Sequence, residues 1–176
     1  MWAAHRVRGL ARYDSLAGYT PAVQREVNAV IVNRSAPSAT VVPVLIYEDV
    51  EKAIEWLIGA FGFTERLRAA GPGGRVMHAQ FTIGEGAVMI GAQGAEYRVP
   101  SPQGVSQYVL VHVDDVEAHC ARAKEFGARI VRPPADAPFG ERHYTAEDLA
   151  GHRWTFSQSV ADVPLEAWGA VPAAPK

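Results

Sequence analysis

The chain has 176 residues, enough for one ordinary domain with a sizeable core. Hydrophobic residues make up 48% and charged residues 20%, which is typical of a globular protein and excludes a disordered or fibrous one. The formal charge of −2 gives no reason to bind nucleic acid, and no apolar run approaches the roughly 20 residues that span a bilayer. The single cysteine, Cys120, permits no internal disulfide, and we interpret it as a buried apolar residue rather than a reactive thiol.

Residues 1–38 form an N-terminal extension. Thr20-Pro21 is typical of a helix N-terminus, and the apolar stripe that follows predicts a short amphipathic helix at about 21–33. The segment lacks the long apolar stretch of a secretory signal, so we predict a cytoplasmic protein. We expect the extension to pack on the domain or on a partner subunit.

The region from residue 41 to 158 contains an internal repeat. In each copy an apolar run ends on an acid, a helical pattern follows, and a later glycine opens another apolar run. The spacing between copies is nearly constant: Asp49 to Asp115 is 66 positions, Gly62 to Gly127 is 65 and Gly86 to Gly151 is 65. Two copies of one supersecondary unit predict a pseudo-symmetric domain.

The elements follow the same order in both copies. The first copy, 41–95, has a predicted strand at 42–47, a helix at about 50–61 and strands at 63–69, 75–83 and 86–92. After a proline-containing linker, the second copy, 105–158, has a strand at 106–113, a helix at 115–126 and strands near 129–132, 142–146 and 152–158. A turn is predicted at Pro133-Pro134, and residues 159–176 form a C-terminal tail. Each copy is therefore a βαβββ module, which gives an α+β fold.

The end of the second copy carries a recognisable motif. Glu147-Asp148 is followed by Gly151-His152-Arg153-Trp154-Thr155-Phe156, and the first copy has Asp49-Val50 followed by Phe61-Gly62-Phe63. In these residues the chain resembles the vicinal oxygen chelate superfamily, which includes glyoxalases, bleomycin-resistance proteins and extradiol dioxygenases. The resemblance implies two βαβββ modules whose mixed sheet curls into a U-shaped cleft.

The resemblance also implies four positions at which metal-dependent members carry their ligands. Here they hold Val42, Ile90, Tyr108 and Thr155. Valine and isoleucine cannot coordinate a divalent cation, threonine does so weakly and tyrosine uncommonly. We therefore predict no metal site and no cofactor.

Strand alternation assigns faces around the cleft. If Thr155 faces the cleft, Arg153 does too, whereas Trp154 packs beneath a helix. Tyr108 would lie near the cleft centre and stack a planar ligand, or else fill the cleft by aromatic packing.

Other cleft candidates leave alternatives open. His78 either orients a ligand or acts as a base, or it is a structural histidine. Arg142 either binds a ligand carboxylate or phosphate, or it pairs with Glu147 or Asp148. His143 is placed on the opposite strand face from Arg142. The predicted ligand-binding residues are Tyr108, His78, Arg142, Tyr144, Arg153 and Thr155.

The leading hypothesis is a metal-free protein of bleomycin-resistance type that sequesters a planar or partly apolar small molecule. The alternative is a metal-free or atypical isomerase or lyase that uses His78 or Tyr108 as its acid–base group. A third possibility is a non-catalytic interaction module with a filled cleft. Because the family often pairs modules between chains and sheet edges invite pairing, we predict a homodimer.

Overall fold

We describe residues 33–173 from a computed structural model of the protein. The predicted helix at about 21–33 lies outside these residues except for Asn33, which is not helical. Within the described part of the chain, no helix is long and apolar enough to cross a membrane.

The repeat folds into two modules of the same topology. The first contains β1 (Val44–Tyr47), α1 (Val50–Phe61), β2 (Thr64–Ala70), β3 (Val76–Ile83) and β4 (Gly86–Ala92). The second contains β5 (Tyr108–His112), α2 (Val116–Glu125), β6 (Arg129–Asp136), β7 (Glu141–Glu147) and β8 (Arg153–Ser159). Each module forms its own four-stranded sheet, in the orders β1-β4-β3-β2 and β5-β8-β7-β6. In both sheets the first and last strands pair in parallel and the other pairs are antiparallel, which confirms the α+β fold of two βαβββ modules.

The repeated acids and glycines mark the ends of the two helices. The Asp49 carboxylate accepts from the backbone N–H of Lys52 at 3.1 Å, and Asp115 accepts from that of Ala118 at 2.9 Å. Each aspartate therefore caps free N–H groups at a helix N-terminus. Gly62 follows α1 with φ +70°, a left-handed conformation that favours glycine.

The turn predicted at Pro133-Pro134 is wrong, because both prolines lie within β6. β6 is an edge strand of its sheet and, within residues 33–173, pairs only with β7. Its register shifts between Arg132 and Ala135, so the two prolines occupy an irregularity in the ladder. Proline lacks an N–H to donate, and an edge strand with a bulge tolerates it.

One hydrophobic core joins the two modules. The ring of Phe61 in α1 lies 5.5 Å from that of Trp154 and 4.7 Å from that of Phe156, both in β8. Gly59 permits close approach of the modules, because a Cβ there would lie 2.3 Å from Cε1 of Phe126. Cys120 is buried as predicted, and burial raises the pKa of its thiol.

His119 in α2 connects three elements across this core. Its Nε2 lies 3.1 Å from the carbonyl oxygen of Phe61, and its Nδ1 lies 2.6 Å from the hydroxyl of Tyr144. A neutral ring satisfies both contacts when Nε2–H donates to Phe61 and Nδ1 accepts from Tyr144. Burial lowers the pKa of His119 from its ordinary 6.5 to about 4, which favours this neutral form.

Asp148 makes a second buried connection between the modules. One carboxylate oxygen accepts from the Tyr47 hydroxyl at 2.6 Å and from Trp154 Nε1 at 2.9 Å. The other accepts from the backbone N–H groups of Ala150 at 2.9 Å and His152 at 3.0 Å. Four donors satisfy a carboxylate that would otherwise be costly to bury. The family motif at the end of the second module therefore has a structural role here.

Candidate functional site

The face of each sheet turned away from the helices is called its open face here. In the second module, alternation along β8 buries Trp154 and Phe156 against the helices and turns Arg153 and Thr155 to the open face. The predicted position of Trp154 in the core is therefore confirmed. On β5, Tyr108 and Leu110 belong to the open face and remain exposed, Tyr108 at 62%.

The open face of the second module lines a cavity of about 490 Å³, which we call the module-2 cavity. Its lining combines apolar side chains of β5 and β6 with polar side chains of β7 and β8. The polar and aromatic members include Tyr108, Phe139, Glu141, His143, Thr145 and Arg153. Because it exceeds 300 Å³ and mixes apolar surface with a few polar groups, it has the size and composition of a ligand pocket.

A second cavity of about 370 Å³, the inter-module cavity, lies between β1 of the first module and β5 of the second. The linker between the modules supplies much of its remaining wall. The two cavities share the stretch 105–108 and Arg153. Tyr108 and Arg153 are also directly paired in the register of β5 and β8. The two cavities therefore adjoin, with Tyr108 in the wall that they share, and we call the pair the cleft.

Charged groups near Arg153 are already paired. Arg153 Nε lies 2.9 Å from Glu147 Oε2, and Arg129 Nε donates to the other oxygen of Glu147 at 2.9 Å. Hydrogen bonding from Arg129, with the added charge of Arg153, holds the pKa of Glu147 below its ordinary value. Arg153 thus presents a guanidinium whose charge is partly compensated.

The floor of the module-2 cavity carries neutral hydrogen-bonding groups. The hydroxyls of Thr145 and Thr155 lie 3.1 Å apart, so each can also bond a ligand. Within residues 33–173, Nδ1 of His143 is buried without a hydrogen-bond partner, and its ring lies edge-on to Phe139. The prediction that His143 and Arg142 occupy opposite faces is right, but it is His143 that lines the cavity.

Two predicted ligand-binding residues lie outside the cleft. Tyr144 is only 1% exposed and contacts His119 in the core, where burial raises its pKa. Arg142 donates to Glu117 at 2.6 Å and to Asp136 at 2.7 Å, not to Glu147 or Asp148. The reason is strand alternation, because residues 142 and 144 share the face of β7 that packs towards α2. These placements do not support a binding role for either residue.

His78 is separated from the other candidates. It lies on β3 of the first module, and its Nε2 is 3.2 Å from Nε2 of Gln80. Gln80 in turn donates to the carbonyl of Ser35 at 3.1 Å and accepts from Arg66. Neither cavity that contains Tyr108 includes His78. The structure therefore brings together Tyr108, Arg153 and Thr155, but not His78.

The four positions inherited from the family do not suit a metal. Ile90 is 0% exposed within the helix-facing core, and the other three positions hold Val42, Tyr108 and Thr155. Among residues 33–173, no group of three or more His, Cys, Asp and Glu side chains could hold a metal ion. The side chains present therefore do not fit the metal centre that other members of the family carry.

Sequence comparison defines the class of protein. Residues 39–156 match the Glyoxalase/Bleomycin resistance protein/Dioxygenase superfamily, and the chain belongs to this superfamily. The chain is 31% identical over 131 residues to an uncharacterized protein of Mycobacterium bovis, covering 70% of this chain and 86% of that protein. An uncharacterized protein of Mycobacterium tuberculosis is also 31% identical, covering 70% of this chain and 76% of its own length.

Solved structures share the same architecture. TioX from Micromonospora sp. ML1 is 38% identical, with a TM-score of 0.57, and the match covers 68% of this chain and 97% of TioX. TnmS3, an antibiotic-binding protein from Streptomyces sp. CB03234, is 23% identical with a TM-score of 0.54, covering 67% of this chain and 93% of TnmS3. At that identity the likeness to TnmS3 shows the fold alone.

Proposed function

We propose that this protein binds and sequesters a planar or partly apolar small molecule, without a metal, in the cleft that contains Tyr108. The observation that carries the proposal is the position of Tyr108, which is exposed at the wall shared by the two cavities. A tyrosine so placed offers a large ring face to a planar compound together with a hydroxyl for hydrogen bonding.

The surroundings of Tyr108 favour a partly apolar ligand. Val44 and Ile46 line the inter-module cavity, and Leu110 and Phe139 line the module-2 cavity. Hydroxyl and guanidinium groups on β7 and β8 would then fix the orientation of the bound molecule. TnmS3 is an antibiotic-binding protein, so a protein of this fold can bind a small molecule.

The enzymatic alternative loses His78 as its acid–base group and keeps Tyr108, which lines the cleft as His143 and Glu141 do. It needs an acid–base group next to the bound molecule, within about 2.6–3.2 Å of the proton that it transfers. His78 lines neither part of the cleft, and its Nε2 is already close to Gln80. We therefore assign His78 to the support of the first module's sheet rather than to catalysis.

We also propose a homodimer. β1 and β5 are edge strands, each hydrogen-bonded to one neighbour in its sheet. Such edges favour pairing with a second chain. Light scattering of the full chain is expected to give twice the mass of the monomer, and a monomeric mass would contradict the proposal.

The binding proposal is tested by identifying the natural ligand and then removing the ring. Untargeted mass spectrometry of natively purified protein identifies the compound, and calorimetry measures its affinity. Tyr108→Ala is expected to weaken binding by about 0.5–1.5 kcal/mol beyond the loss of buried area, whereas Tyr108→Phe keeps the ring contact. His78→Ala serves as the control and should leave affinity unchanged. Chemical conversion of the compound that disappears in His78→Ala would overturn the proposal.

A further inference from the structure

The two parts of the cleft differ in charge. The module-2 cavity is lined by one acid, Glu141, together with Arg132 and Arg153. Among residues 33–173, the inter-module cavity is lined by Arg98, Arg153 and His152 and by no acidic side chain. Its other members are neutral and largely apolar, among them Val44, Ile46, Tyr108 and Val109.

Of the two arginines that line the inter-module cavity, Arg98 is the one without an ion pair in the described part of the chain. Arg153 forms an ion pair with Glu147 at 2.9 Å. Arg98 lies in the linker between β4 and β5, is exposed, and makes no ion pair with any residue in the range 33–173. Glu96, the acid nearest to it in the sequence, does not line the cavity.

A guanidinium that makes no ion pair within residues 33–173 and lies beside apolar walls favours a ligand with a negative group. Arginine presents planar N–H donors that match carboxylate, sulfonate and phosphate oxygens. In the module-2 cavity Arg132 also makes no ion pair within residues 33–173, but Glu141 lines the same cavity and opposes the binding of an anion.

We propose that the ligand is an elongated organic anion whose planar part packs on Tyr108 and whose acidic group lies in the inter-module cavity at Arg98. This inference rests on the proposed binding function and names the ligand class for the same cleft. Arg98 determines the preference for an anion, while Tyr108 binds charged and neutral planar compounds alike.

Two fluorescent probes with one ring system test the inference. 8-Anilinonaphthalene-1-sulfonate and N-phenyl-1-naphthylamine share their aromatic frame, and only the first carries a sulfonate. The wild-type protein is expected to bind the sulfonate more tightly. Arg98→Ala should weaken sulfonate binding by about 3–10-fold and neutral-probe binding by less than about twofold, because one charge-assisted contact is lost. Arg132→Ala should not weaken sulfonate binding selectively, and Arg68→Ala, on β2 outside both cavities, is the control that should affect neither probe.

The outcomes separate this inference from the proposed function. Tyr108→Ala should weaken both probes, and failure of both probes to bind wild-type protein would count against the binding function itself. If both bind and depend on Tyr108 but Arg98→Ala does not discriminate between them, the anion proposal is refuted while the binding function stands. Selective loss of the sulfonate in Arg132→Ala would also refute it, because the anion would then lie in the module-2 cavity. Circular dichroism melts verify that each variant is folded.

Discussion

The buried histidine that joins the modules predicts an acid-sensitive fold. His119 has a pKa of about 4 in the folded protein, against about 6.5 for an exposed histidine in the unfolded chain. Below about pH 6.5 the unfolded chain gains a proton that the folded protein does not yet accept. The free energy of unfolding therefore falls as pH decreases from about 6.5 towards 4, and the full effect of His119 is about 3 kcal/mol.

The expected loss between pH 7.5 and pH 5 is about 2 kcal/mol, since at pH 5 the unfolded imidazole is almost fully protonated. Urea denaturation at several pH values measures it. His119→Gln removes the titration, while its amide can still donate to the carbonyl of Phe61 and accept from Tyr144. His112→Gln, at an exposed site on β5, is the matched control and should keep the wild-type dependence on pH. If wild type and His119→Gln lose stability equally on acidification, this reasoning is refuted.

Three further predictions concern packing and composition. Trp154→Ala removes a fully buried aromatic and is expected to lower the free energy of unfolding by about 3–5 kcal/mol; a thermal melt equal to wild type would contradict its place in the core. Gly59→Ala places a methyl group 2.3 Å from the Phe126 ring and should lower the melting temperature. Gly94→Ala, with no atom near the added Cβ, should lower it less. Equal melting temperatures would show that Phe126 moves freely. Elemental analysis of untagged protein should find no stoichiometric zinc, nickel, manganese or iron, and one chelator-removable equivalent would reverse that expectation.

The module architecture could be predicted from the sequence because its signals are local and repeated. Asp49 and Asp115 each precede a helix and cap it, and the predicted α1 has the observed bounds Val50–Phe61. Pro133-Pro134 led to the wrong prediction of a turn in β6. Proline is excluded from central strands because it lacks an N–H to donate, but an edge strand tolerates it. Local sequence signals predict helices and strands well. Whether a strand lies at the edge or in the centre of its sheet depends on its pairing with other strands.

The residues of the candidate site were harder to predict. The sequence of a strand shows which residues share a face, but not which of the two faces the helices cover. We placed Arg142 and Tyr144 in the cleft, but they lie on the helix-facing side of β7. The prediction that His143 lies on the opposite face was right. The sequence does not indicate the hydrogen-bond partners of His119, because Phe61 and Tyr144 are 58 and 25 positions away. Its helical spacing from Val116 and Ala123 does mark a buried face, and that was the one available clue.

The residues that identify the family and the residues that would choose a ligand are largely different. The motif around Asp148 and Trp154 is used to hold the modules together through buried hydrogen bonds. The residues that we propose for ligand binding are instead Tyr108 at the start of β5 and Arg98 in the linker, neither of which lies in that motif. A chain can therefore keep the fold of this superfamily while its ligand changes through substitutions in the linker and on the open face. Differences at positions 98 and 108 among relatives should thus indicate ligand class better than overall identity does.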